Sequence, residues 1–173
     1  MPIFRRTLIA LLLMMVAMPV VAERGAWRQA SSTELAALLP ARAPVEREHI
    51  ETEMRTASGI VNAHGRYVAG VVLLTAGYSA DGKYSHYLLV QAAVRIGGIN
   101  LRPGSYLIGY ARSGTTEALN VRIHEASSGN LVGTTEAHLL TGIRGISSLR
   151  IWPPSDRSVI QIGRFGIPYE VEE

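Results

Sequence analysis

Tyr106, Tyr110, Arg112 and Trp152 are the residues in this chain whose types best suit ligand recognition. Tyr106 and Tyr110 alternate with Ile108 behind a Pro-Gly turn, within the stretch Ile99 to Gly114. Aromatic rings can stack on a sugar or peptide group, and a guanidinium can hydrogen-bond or neutralise an acidic one. If the chain holds a ligand site, these four are its expected members, converging on an open sheet face. The plainer expectation is that alternating tyrosines fill one side of a half-buried sheet, since aromatics suit a pleated surface without any ligand. That packing role carries the greater weight for Tyr106 and Tyr110.

The histidines offer less. His49, His64, His86, His124 and His138 show no His-x-His or His-Glu-x-x-His spacing. Glu46 and His49 have the spacing of a carboxylate-bridged metal motif, but in a single copy, so a solvated charged face is expected instead. No metal site and no cofactor follow. His124 should alternate outward beside Glu125 and sit at the surface, and His64 lies in a turn-like Asn-Ala-His-Gly stretch. Nucleophilic catalysis lacks a G-x-S-x-G elbow or an S-x-x-K motif. Asp81 and Asp156 both lie in turn-like settings, and nothing singles out Glu117, Glu125 or Glu136 as a glycosidase pair. The glycines lack the strand-loop-helix context of a phosphate cradle. A triad can still assemble from distant residues. A cleft gathering His86, His124 or His138 with a serine or carboxylate would therefore point to an enzyme.

The elements that position these residues begin after an expected export signal. Arg5 and Arg6 form a basic start, Leu8 to Met18 is unbroken apolar sequence, and Val20-Val21-Ala22 supplies small residues for cleavage after Ala22. The apolar run is short of the about 20 residues a membrane span needs, so no transmembrane segment is expected once the signal is removed. Without Arg5 and Arg6 the formal net charge of +3 falls by two. No basic run interleaved with aromatics occurs, and nucleic acid is excluded as a partner. The chain has no cysteine, so an exported fold has no disulfide and must rest on its apolar core. Aromatics make up only 6% of the chain and its C-terminus is charged, which tells against an outer-membrane barrel.

Three segments follow: residues 1–22 as signal peptide, 23–57 as N-terminal helix and linker, and 58–173 as a β-sandwich domain. Ser31 and Glu34 spell a capping box, Leu35, Leu38 and Leu39 share a helical face, and Pro40 stops the helix. Ala41 to Pro44 reads as a linker, and Val45 to Arg55 as either a charged amphipathic helix or an extended lead-in strand, with the lead-in preferred because the sheet begins directly afterwards. From Ser58 short strands alternate with turns. Gly70 to Tyr78 is apolar enough to be covered on both faces. Turns are expected at Asp81-Gly82, Gly97-Gly98, Pro103-Gly104, Ser113-Gly114 and Ser128-Gly129. Tyr84 and His86 should share one strand face and Tyr87 the other. Val121 and Ile123 should point inward. Pro153-Pro154 must end a strand after Trp152. The predicted fold is all-β: an antiparallel β-sandwich or small barrel preceded by a signal peptide and a short helix.

Leu101-Arg102-Pro103-Gly104-Ser105-Tyr106 resembles the L-x-P-G-x-Y turn of bacterial extracytoplasmic β-sandwich modules, of the transthyretin-like or carboxypeptidase-regulatory-like kind and of some secreted β-proteins. In those modules a D-G-x-Y turn lies close upstream. Here Asp81-Gly82-Lys83-Tyr84 stands two strands away, so the resemblance covers part of the domain and implies architecture more than activity. Signal, β architecture and missing catalytic motifs together predict a non-enzymatic binding or accessory module of the envelope, periplasmic or secreted. Its partner would be a small ligand, a glycan or an envelope protein. Two alternatives stand beside it: a secreted hydrolase with dispersed residues, and a structural subunit that pairs through an edge strand near Val159 to Ile167.

Overall fold

The computed structural model of the chain describes residues 26–75, 83–114 and 117–172. The signal segment and the Asp81-Gly82 turn lie outside them. Strand β1 (Arg28–Gln29) leads into helix α1 (Ser32–Leu38), then β2 (Arg42–Val45), β3 (Glu48–Val61), β4 (Tyr67–Leu73) and β5 (His86–Val90). There follow β6 (Val94–Ile96), β7 (Ile99–Leu101), β8 (Gly104–Arg112), β9 (Ala118–Glu125) and β10 (Leu131–Leu139). Strands β11 (Ser147–Ile151), β12 (Val159–Gly163) and β13 (Phe165–Val171) complete the chain. All pairings are antiparallel, in the order β1-β3-β4-β5-β8-β9-β10-β13-β12-β11, with β2 on β3 and the β6–β7 hairpin joined to β13.

This sheet curls until its last strand meets its first long one, the small-barrel form of the expected all-β architecture. The Ile151 amide of β11 donates to the Ser58 hydroxyl of β3 at 2.8 Å. Period-2 alternation fills the inside with Leu88 and Val90 from β5, Tyr106 and Ile108 from β8, Val121 and Ile123 from β9, and Ile160 and Ile162 from β12. Outward positions on β9 and β10 carry Asn120, Arg122, Thr134, Glu136 and His138. On these two strands Leu119, Val121, Ile123 and Ala137 are buried in the core while these outward residues are polar. No helix among the described residues is long and apolar enough to cross a membrane.

A second apolar cluster lies outside the barrel wall. Leu35 from α1, Leu39 at its C-cap, and Ala43, Val45 and Ile50 from the β2–β3 hairpin cover Val71, Tyr87 and Leu107. The helix starts at the expected capping box: the Glu34 amide donates to the Ser31 hydroxyl at 3.2 Å, and the Ser31 amide to the Glu34 carboxylate at 2.8 Å. Arg42 to Pro44 of the expected Ala41–Pro44 linker fall instead within β2, whose alternation buries Ala43 and Val45 against the wall. Strand β3 likewise continues through Ser58, with its register against β4 shifting between Glu53 and Ser58.

Gly97 and Gly98 form the expected two-residue turn, both with positive φ (54° and 87°). A Cβ on Gly97 would stand 2.2 Å from the Thr135 hydroxyl oxygen, so that position has no room for a side chain. In the Pro-Gly turn the Tyr106 hydroxyl donates to the Arg102 carbonyl at 2.7 Å, which is how a tyrosine two residues after the glycine fastens such a turn. Three expectations need correction. His124 is buried, because the outer face of β9 is covered at that end and the His124 ring meets Tyr84 edge-on at 5.2 Å. Tyr84 and Tyr87 belong to the same outer cluster while His86 points inward, because Tyr84 and Ser85 precede the regular strand and break its alternation. The segment Val159 to Ile167 offers no edge: β12 lies between β13 and β11, with Ile160, Ile162 and Ile167 buried.

Candidate functional site

His86 is a buried polar residue of the barrel interior. It opens β5 on the same face as Leu88 and Val90, and its side chain is buried. Its Nε2 lies 3.1 Å from the Ser148 carbonyl oxygen of β11, and its Nδ1 lies 2.8 Å from the Ser85 hydroxyl. A carbonyl can only accept, so Nε2 carries the ring proton and Nδ1 presents a bare lone pair to Ser85. Burial pushes the imidazole down to about 4, against the weaker opposing effect of the Ser148 bond, so the ring is neutral at pH 7. Ser85 Oγ also stands 3.0 Å from the Ile108 carbonyl. Its single proton therefore has two acceptors within reach.

These groups floor a cavity of about 380 Å³ at one mouth of the barrel. The wall is built by β4, β5, β8, β11 and β12, five strands that the curl of the sheet brings together. Tyr110 from β8 lies beside His86, with ring centroids 6.0 Å apart. Ser147 and Ser148 face them from β11, and Ile146 stands exposed at the rim. None of the described residues lining this mouth carries a charged side chain at pH 7.

Of the four residues singled out by type, Tyr110 alone lines this mouth. Tyr106 faces the interior from earlier on β8, packed in the core with its hydroxyl committed to Arg102. Arg112 is exposed at the end of β8. Trp152 lies beyond β11: its indole donates to the buried Gln161 side chain at 3.0 Å, and its ring lies under the Arg150 guanidinium at 3.5 Å. The strand alternation that turns Ile151 inward leaves Trp152 outside the interior cluster. Ser85, His86 and Ser148 escape a motif search because their contacts span separate strands. The one local signal is parity: His86 shares its face with Leu88 and Val90, where a polar side chain is out of place.

A second polar cluster pins the outer hairpin. Glu46 sits at the tip between β2 and β3 with φ 55°, and its amide donates to the Ala126 carbonyl at 2.7 Å. Its carboxylate accepts from the Tyr84 hydroxyl at 2.5 Å and from Lys83 at 3.1 Å, and these bonds hold it below the usual carboxylate range. Glu46 and His49 thus sit around a hairpin turn rather than on one helix face. No protein-family model, curated protein or solved structure matches the chain.

Proposed function

We propose that the protein is an exported binding or accessory module of the bacterial envelope, periplasmic or secreted, that takes a small uncharged ligand into the mouth of its barrel. The observation that carries this reading is the lining of the 380 Å³ cavity: one tyrosine ring, serine hydroxyls, a neutral histidine and aliphatic edges. Such a surface suits a hydroxyl-bearing ring that stacks on Tyr110 and exchanges hydrogen bonds with the serines. A charged ligand would lose its water there without meeting an opposite charge.

Thermal unfolding of the purified protein with a panel of neutral mono- and disaccharides tests the reading. A sugar present at about 100 times its Kd stabilises the fold by about 2.7 kcal/mol. For a chain of this size that raises Tm by roughly 5–10 °C. Tyr110→Ala removes the stacking face and the shift with it, while Trp152→Ala leaves the shift intact. A shift that survives Tyr110→Ala and disappears in Trp152→Ala would move the site to the outer face and overturn this placement.

A further inference from the structure

We infer that Ser85 is an activated nucleophile, with His86 Nδ1 as its base, and that the mouth cleaves short-chain esters of neutral alcohols. This rests on the reading that the mouth admits a small uncharged ligand, and goes beyond it by adding a reaction.

Three features of the mouth support the assignment. Ser85 Oγ lies 2.8 Å from His86 Nδ1, within the reach that proton transfer requires. Ser148 fixes the tautomer by accepting from Nε2, so the lone pair that faces Ser85 is the one free to take a proton. Ser148 is a positioning residue, the part that a carboxylate plays in a serine triad. Finally, Ser85 is only partly buried and lines the cavity, so its hydroxyl is open to an incoming carbonyl. The Tyr110 hydroxyl makes no hydrogen bond to the described residues and lines the same cavity, where it can donate to a developing oxyanion.

The reaction closes in two halves. Ser85 Oγ attacks the ester carbonyl carbon while its proton passes to His86 Nδ1. The carbonyl π pair moves onto oxygen, then returns as the bond to the alcohol breaks. The departing alkoxide takes the proton from Nδ1, leaving an acyl-Ser85. Water then attacks the acyl carbon and gives a proton to Nδ1. Collapse releases the carboxylic acid and returns that proton to Ser85 Oγ. Water is the only co-reactant and no oxidant or reductant is needed.

The test uses the purified full chain with p-nitrophenyl acetate, and with diisopropyl fluorophosphate followed by peptide mass mapping. The expected result is one phosphoryl adduct, on Ser85, and ester hydrolysis that falls at least ~100-fold in Ser85→Ala. Because His86 is neutral down to about pH 4, the rate should stay flat between about pH 5 and pH 8, without the inflection near 6.5 that an exposed histidine base gives. Urea unfolding guards against loss of folding in the alanine variant: Ser85→Ala should keep a cooperative transition close to that of the wild type while losing the ester hydrolysis, and the labelling of the wild type is read independently of it. No adduct, an adduct on another serine, or ester hydrolysis retained in a folded Ser85→Ala variant overturns the inference. Sugar-induced stabilisation lost in Tyr110→Ala is read separately, so a failed labelling experiment leaves the binding reading standing on its own result.

Discussion

Acidification tests whether the interior histidine is neutral, as its partners require. His86 has a folded pKa of about 4, against an ordinary value of 6.5. The unfolded chain therefore takes up the proton first as pH falls. The contribution is complete above pH 6.5, shrinks by about 1.4 kcal/mol per pH unit below it, and is gone once pH passes through 4. Between pH 7 and pH 4.5 the loss assigned to His86 alone is about 2 to 3 kcal/mol. The assay is urea unfolding across that range for the wild type and for His86→Gln, whose side-chain amide can still reach the Ser148 carbonyl but does not titrate. His124 is also held below its ordinary range, chiefly by burial, and titrates in both proteins, so it drops out of the difference. The wild type should lose about 2 to 3 kcal/mol more than the variant on acidification. An NMR titration of the imidazole, which also reads the tautomer, fixes the residue responsible. Equal losses in the two proteins, or a His86 ring that titrates near its ordinary value, would refute the argument.

Other perturbations follow from the same contacts. Ser58→Ala leaves the Ile151 amide without its acceptor at the barrel seam, and should cost about 1–3 kcal/mol in chemical unfolding, with faster hydrogen exchange at Ile151. Gly97→Ala forces a side chain onto a positive φ and against Thr135, so it should destabilise by at least about 1–2 kcal/mol, whereas Gly65→Ala meets open space and bears only the backbone strain. Ser31→Ala removes the helix N-cap and should cost about 1 kcal/mol, while barrel stability measured by exchange in β8 and β9 falls no further than the global value. Ile160→Ala opens a hole in the interior cluster and should cost about 2–5 kcal/mol.

Much of the fold is legible in local sequence because its causes are local. The Ser31–Glu34 box starts a helix within one turn of chain. Gly97-Gly98 turns the chain because glycine accepts successive positive φ angles without strain. The alternation of Tyr106, Ile108 and Tyr110 places all three on one side of β8, and the structure puts that side in the core. Ala41 to Pro44 reads as a linker because a Pro-containing, alanine-rich stretch shows no strand character until β3 is present to pair with it. The burial of His124 is hidden for a related reason: parity correctly turns it away from Val121 and Ile123, but parity is silent on whether that face is covered.

The chain's own order of residues was enough for the elements: a capped helix, turns at the glycines, and strands whose alternate residues are apolar. It was also enough for the absence of disulfides and of any long basic run, because both depend on composition alone. Which residues meet is a tertiary matter. His86 reaches Ser148 because the sheet curls until β11 comes back against the first strands, and the gap of 62 positions between them leaves no periodic trace. Tyr110 joins them at the mouth while Tyr106, on the same face of the same strand, is spent on a turn. Side-chain direction is fixed by a two-residue period, but closure of a barrel depends on register summed over every strand.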